Sequence, residues 1–343
     1  MVFGGLFIIL AVVLCVPFFA KRIEEELEIF LFVMGCMAVT VTSQWSAFLI
    51  KEALVEPVKI TAAVFIAGFL FRKLQRPIAH HVNKAADAVG MKFFTFLVII
   101  ALGFFSSVIT AIIAALVLVE IISHLTLDRK HEVTFVILAC FAIGLGAALT
   151  PIGEPLSTIV IAKLRGQPYQ AGFLFLFKHL WHYVVPGVAA FGIIGAILIP
   201  DKRQRKHGLH EDKEENIKDI SIRSIKVYFF VMALVFLGNG FKPIIDAFVA
   251  KIPYQGIYWV NIISAVLDNA TLAAAEINPS LGLLQIKSAL LGLLIAGGML
   301  IPGNIPNIIV AGKLKIKSSE WAKFGIPLGL VVMAIYFLVL LLF

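Results

Sequence analysis

Apolar residues run along this chain in long blocks divided by short polar stretches. A helix that crosses a bilayer needs roughly 20 mostly apolar residues. The blocks predict spans at about 2–20, 28–45, 57–72, 133–164, 171–199, 224–249, 281–314 and 324–343. Two further apolar stretches, at about 92–123 and 253–277, fit one crossing badly. The first is too long for one span and short for two. The second is interrupted by Asp268-Asn269 and ends at Glu276. Both read as re-entrant hairpins, which a bilayer tolerates only where protein surrounds them. The most polar segment, Asp201 to Ser224, carries the run Lys202-Arg203-Gln204-Arg205-Lys206 and reads as a linker between two halves.

The two halves resemble each other in order. Val58 through Ile78 matches Ile225 through Ile244. Ser106-Ser107-Val108-Ile109-Thr110 matches Ser264-Ala265-Val266-Leu267-Asp268. Gly153 through Leu164 matches Gly303 through Leu314, and Trp181 to Pro186 matches Trp321 to Pro327. Each match is weak alone, and chance rarely gives four in one order. Each half therefore holds a helix, a hairpin, a broken helix and a last helix. A re-entrant hairpin leaves three true crossings per half, and an odd number inverts the second copy. The expected fold is all-α and polytopic. It has two additional N-terminal helices over 1–50, a first inverted repeat over 57–200, a cytoplasmic linker over 201–223 and a second repeat over 224–343.

Composition supports the membrane class. The chain has 343 residues, 60% hydrophobic and only 15% charged, with mean hydropathy +0.99, too little polar surface for a soluble domain. The net charge of +8 then reflects cytoplasmic loops rather than nucleic acid as a partner. With the linker inside, Lys21-Arg22, Arg72 to Lys92, Arg129-Lys130 and Lys313 to Lys323 also fall inside, whereas the other loops carry fewer basic residues. This agreement places both termini outside a plasma membrane. Val2 to Ala20 lacks a basic start and a small-residue cleavage site, so it reads as a retained helix. Cys15, Cys36 and Cys140 lie in apolar runs and read as buried hydrophobes.

The chemistry concentrates at the breaks and hairpin tips. Thr150-Pro151-Ile152-Gly153-Glu154-Pro155 interrupts an apolar helix, as does Pro302-Gly303-Asn304-Ile305-Pro306-Asn307. Proline removes backbone donors and glycine relaxes the chain, and freed carbonyls and helix ends can bind ions. A proline kink alone would also explain one break. Glu154 stands out, because a carboxylate at membrane depth costs at least ~2.5 kcal/mol unless paired or hydrated. It suits proton carriage, unless it merely sits at the interface. Asp268 lies between two apolar arms beside Asn269 and Thr271, an oxygen set that suits a hard cation such as Na⁺ and also suits helix capping. Ser106, Ser107 and Thr110 occupy the matching tip without a charge. His179 and His182, with Lys178, line an interface or shuttle protons. Glu120 and Glu276, near hairpin ends, are expected to reach water; Asp246 is expected to pair with Lys242. Glu24, Glu25 and Glu26 read as a solvated loop. No nucleotide-binding, metalloprotease or Ser/His/Asp pattern stands out, which argues against an enzyme, a cofactor and ATP-driven transport by this chain.

At these residues the sequence resembles the ion transporter superfamily, which includes arsenite-pump membrane subunits, D-type sodium/proton antiporters and divalent-anion/sodium symporters. It looks closest to a compact prokaryotic branch of predicted cation transporters, over about 57–343. The resemblance implies a site where hairpin tips face helix breaks. That site comprises Ser106, Ser107 and Thr110 with Gly153 and Glu154, and Asp268, Asn269 and Thr271 with Gly303, Asn304 and Asn307. It also implies an elevator-like shift and a homodimer. Anion-carrying members have Ser-Asn-Thr tips and neutral breaks. Here Ser-Val-Ile-Thr replaces the first tip, and Glu154 and Asp268 add negative charge. The expected activity is therefore Na⁺ (or Li⁺)/H⁺ antiport, with cation and protons competing for Glu154 and Asp268. The alternatives are a sodium-coupled anion or arsenite-type carrier, and a non-transporting subunit of a membrane complex.

Overall fold

A computed structural model describes residues 2–20, 23, 26–125, 127–201, 217–248 and 252–342. Expectations for Lys21, Arg22, Glu24, Glu25 and the run 202–206, and for the side chain of Asp246, lie outside the described residues. The described chain is helical, with no strand among the described residues. Five helices are long and apolar enough to cross a membrane: Met91–Ile109, Arg129–Ala147, Phe175–Leu198, Ile220–Ile244 within a longer helix, and Ser318–Leu342. The chain is a membrane protein on this ground.

The elements in chain order are α1 (Val2–Phe19), α2 (Leu27–Val41), α3 (Ala47–Val89), α4 (Met91–Ile109), α5 (Ala111–Ser123), α6 (Arg129–Ala147), α7 (Pro155–Lys163) and α8 (Phe175–Leu198). From residue 217 on come α9 (Ile217–Phe248), α10 (Tyr254–Val260), a 3₁₀ turn (Asn261–Ala265), α11 (Asn269–Glu276), α12 (Leu283–Gly297), a second 3₁₀ turn (Ile301–Gly303), α13 (Ile305–Leu314) and α14 (Ser318–Leu342).

The helix boundaries follow local chemistry. Asp128 caps α6 by accepting from the His131 backbone N–H at 2.9 Å, which satisfies one of the orphan donors of a first turn. Pro155 begins α7 at a position where its missing N–H costs nothing. Thr110 separates α4 from α5 with φ +78°, in the left-handed region, and its Oγ1 accepts from Ile113 N at 3.3 Å.

Three boundaries differ from the sequence reading. The span at 57–72 belongs to α3, a continuous helix of 43 residues. At 1.5 Å per residue it is about 65 Å long, well beyond a hydrocarbon core of roughly 30 Å. The expected loop from Arg72 to Lys92 is therefore largely helix; Pro77 does not stop it. The apolar block at 28–45 ends as helix at Val41. The first arm of the first hairpin, α4, has 19 residues and is itself long enough to cross.

The core gathers on α6 and α12, which are buried on almost every side, as an all-round apolar helix must be. Helices α4, α6 and α8 pack against one another. Helices α2 and α3 pack along α9, where Lys226 Nζ reaches Glu28 at 2.5 Å and Glu26 at 3.0 Å. At the other end of α6, Arg129 pairs with Glu320 at 2.6 Å and donates to the carbonyls of Leu314 and Lys315. This ties α6 to the C-terminus of α13 and the start of α14.

Candidate functional site

Helical backbone breaks twice, once in each half. In the first, α6 ends at Ala147 and α7 starts at Pro155. A Cβ on Gly153 would stand 2.0 Å from the Ala147 carbonyl oxygen, so only glycine allows the chain to fold back so closely. In the second, a Cβ on Gly303 would stand 2.5 Å from the Gly297 carbonyl oxygen and 2.6 Å from that of Ser264. Side chains close each break. Ser157 Oγ donates to the Ala148 carbonyl at 3.1 Å. Asn307 Nδ2 donates to the carbonyls of Gly297 and Leu300, both at 2.9 Å.

Each hairpin is fastened to its own half. Ser106 Oγ donates to the carbonyls of Gly103 (2.7 Å) and Ile143 (3.0 Å). Ser264 Oγ donates to Leu293 O at 3.2 Å. The Ala111 N–H at the first tip donates to Gly153 O at 2.8 Å, and Thr150 Oγ1 donates to the Ser107 carbonyl. The first tip therefore rests directly on the first break. Ser107 donates its own hydroxyl to Phe104 O at 2.7 Å.

The second arms cross over. Helix α5 of the first hairpin packs on α13 of the second half, and α11 of the second hairpin packs on α7 of the first. The α7–α11 contact brings the acids together. Glu154 is the N-cap residue of α7 and Asp268 that of α11. Both are buried, at 5% and 9% exposure. The Glu154 carboxylate interacts with Asp268 and with the Asn269 amide, yet its Oε1 has no hydrogen bond, nor has Asn269 Nδ2. Asp268 is better served: its Oδ2 accepts from the Thr271 N–H at 2.9 Å and from the Thr271 hydroxyl at 3.1 Å.

Both acids lie where helix N-termini present positive partial charge. Such placement is worth up to about 2 kcal/mol in partly buried sites. Bringing even one ion to membrane depth costs at least ~2.5 kcal/mol, and the acids also repel each other. The helix ends alone leave the pair short of compensation.

The structure thus joins Glu154, Asp268, Asn269 and Thr271 in one cluster, and Ser106, Ser107, Thr110 and Gly153 in another. Asn304 occupies the N-cap of α13, with its amide nitrogen 3.1 Å from where a Cβ on Gly144 would stand. Asn307 and Gly303 hold the second break. Sequence reasoning missed Ser157 and Thr150. Their signal was available: Ser157 stands four residues after Gly153, as Asn307 stands four after Gly303.

Glu120 and Glu276 do not reach water as expected; each is 6% exposed. Glu120 is held by His124 at 2.9 Å, and Glu276 by Asn261 at 2.9 Å. Their hairpin ends are covered by packed helices rather than left open. His179 and His182 rest tilted against the rings of Phe175 and Tyr183, respectively. Among the described residues, no group of three or more His, Cys, Asp and Glu side chains is arranged to hold a metal ion.

No curated protein matches the chain. A family model matches residues 3–343, nearly the whole length, and on that match the chain belongs to the family described as Protein of unknown function (DUF1646).

Proposed function

We propose that this chain is a secondary active transporter that exchanges Na⁺ (or Li⁺) for protons at Glu154 and Asp268. One observation carries the reading: two buried acids from opposite halves meet at the N-caps of two short helices, and Glu154 keeps an oxygen without a hydrogen bond. Two neighbouring carboxylates attract a cation or a proton strongly and exchange one for the other. On this reading the halves are inverted-topology repeats, α4–α5 and α10–α11 are re-entrant hairpins, and the protein sits in the plasma membrane with both termini outside. The order helix, two-armed hairpin, half-helix pair and last helix recurs in both halves, which supports the repeat. The likeness to the ion transporter superfamily points the same way, and it remains a fold-level analogy for substrate.

Reconstitution in liposomes tests the proposal. With a pH gradient imposed, added Na⁺ or Li⁺ dissipates it, and Glu154→Gln or Asp268→Asn abolishes the response. Anion uptake driven by sodium, with no cation-driven proton flux, identifies a symporter instead. No flux of either kind from the purified chain points to a non-transporting subunit.

A further inference from the structure

The second half holds another buried acid that the Glu154–Asp268 pair leaves unused. Glu276 closes α11, eight residues beyond Asp268, or about 12 Å along a helix. Asn261, fully buried in the 3₁₀ turn, donates its Nδ2 to Glu276 Oε2 at 2.9 Å and to the Ala289 carbonyl at 3.1 Å. A carbonyl only accepts, so Ala289 fixes which end of the amide faces it. Asn261 Oδ1 and Glu276 Oε1 are then both buried with no donor. An unsatisfied buried acceptor costs about 1–3 kcal/mol, more when charged.

Among the described residues, no cationic side chain meets this need. Asn261 is the only side chain that acts on the Glu276 carboxyl among the described residues. Helix α11 packs on α7, α9 and α12. Lys163 on α7 and Lys242 on α9 are exposed, and Lys226 on α9 is taken by Glu26 and Glu28. Glu154 and Asp268 stand at the far end of α11. Lys287 on α12 lies two residues from Ala289, about 200° around the helix, over the Tyr183 ring. Helix α10 carries no charge.

The site is also built for close approach. A Cβ on Gly292 would stand 2.6 Å from the Tyr258 carbonyl and 3.1 Å from Asn261 Cβ, so glycine there makes room for the amide. The first half has no amide at the matching place. Three residues before Ser106 stands Gly103, whereas three before Ser264 stands Asn261.

We propose that Glu276 and Asn261 form a second binding site for a small monovalent cation of the Na⁺ class. Hard cations take oxygen ligands, and these two oxygens face no competing donor. The role in exchange rests on the antiport reading; the site itself does not.

Equilibrium binding of radioactive sodium to the full-length purified chain separates the two claims. Glu276→Gln, neutral and of nearly the same shape, binds one Na⁺ fewer per chain than wild type. Asp268→Asn also loses one, and the double variant binds none. Glu276→Asp keeps the charge but withdraws it by one methylene, so it retains the count with at least ten-fold weaker affinity. Wild-type sodium binding by Glu276→Gln overturns the second site; should that variant aggregate on gel filtration, unchanged affinity in Glu276→Asp overturns it. Loss only in Glu276→Gln upholds the second site and overturns Asp268 as a sodium ligand. No binding by wild type overturns both.

Discussion

Glu154 and Asn304 occupy the same place in the two breaks with nearly the same backbone, φ −154° and ψ 160° against φ −153° and ψ 145°. Both precede a short helix with one proline in its first two positions, Pro155 first in α7 and Pro306 second in α13. Their surroundings differ. Glu154 meets the second hairpin tip, where Asp268 stands, whereas the half-helix after Asn304 packs on the arm that follows Thr110. The backbone of the break is common property, built by glycine and proline; the charge belongs to one crossed pair only. An acid at Asn304 would find no second acid at the tip opposite.

Substitutions can break this comparison. The largest effect is expected from Gly153→Ala and Gly303→Ala, because the new methyl meets main chain in both breaks. Overpacking costs typically 1–3 kcal/mol and more against backbone. Thermal unfolding in detergent should show both variants destabilised, Gly153→Ala more, as its contact is the closer. Equal, negligible losses would remove the claim that both breaks need glycine. Next, Glu154→Asn should reduce sodium-driven proton flux at least 100-fold, about 2.7 kcal/mol, and Asn304→Glu added to it should not restore flux. Restoration would show that the two crossed pairs are equivalent after all.

The clamps give a smaller, graded contrast. Asn307→Ala removes two hydrogen bonds to buried carbonyls, Ser157→Ala one. At about 1 kcal/mol per bond, chemical denaturation should rank Asn307→Ala below Ser157→Ala by roughly that amount. The smallest effect is expected from Arg129→Ala. Its pair with Glu320 is about 30% exposed on both sides, so its charge contributes up to ~1 kcal/mol, and high salt should shrink the difference from wild type. A salt-independent loss would mean that the bonds to Leu314 and Lys315 dominate.

Much of this architecture was legible in the sequence because bilayer length, proline and glycine leave strong local marks. The paired Pro/Gly interruptions and the matched Ser-x-x-x-Thr/Asp segments mark the breaks and turns. The 43-residue reach of α3 was not legible, since Arg72, Lys73 and Arg76 interrupt its apolar pattern while leaving its helical backbone intact. Nor was the burial of Glu276, which depends on Asn261 and Ala289, 15 and 13 residues away in sequence. Polar residues near the ends of apolar blocks look solvated until the neighbouring helices are in place.

The crossing of second arms has a consequence for how the protein is made. Translation delivers Glu154 roughly a hundred residues before Asp268. Until the later half inserts, α7 lacks the partner that completes the acid pair. A chain truncated before α9 would therefore carry the first break without the acid that faces Glu154.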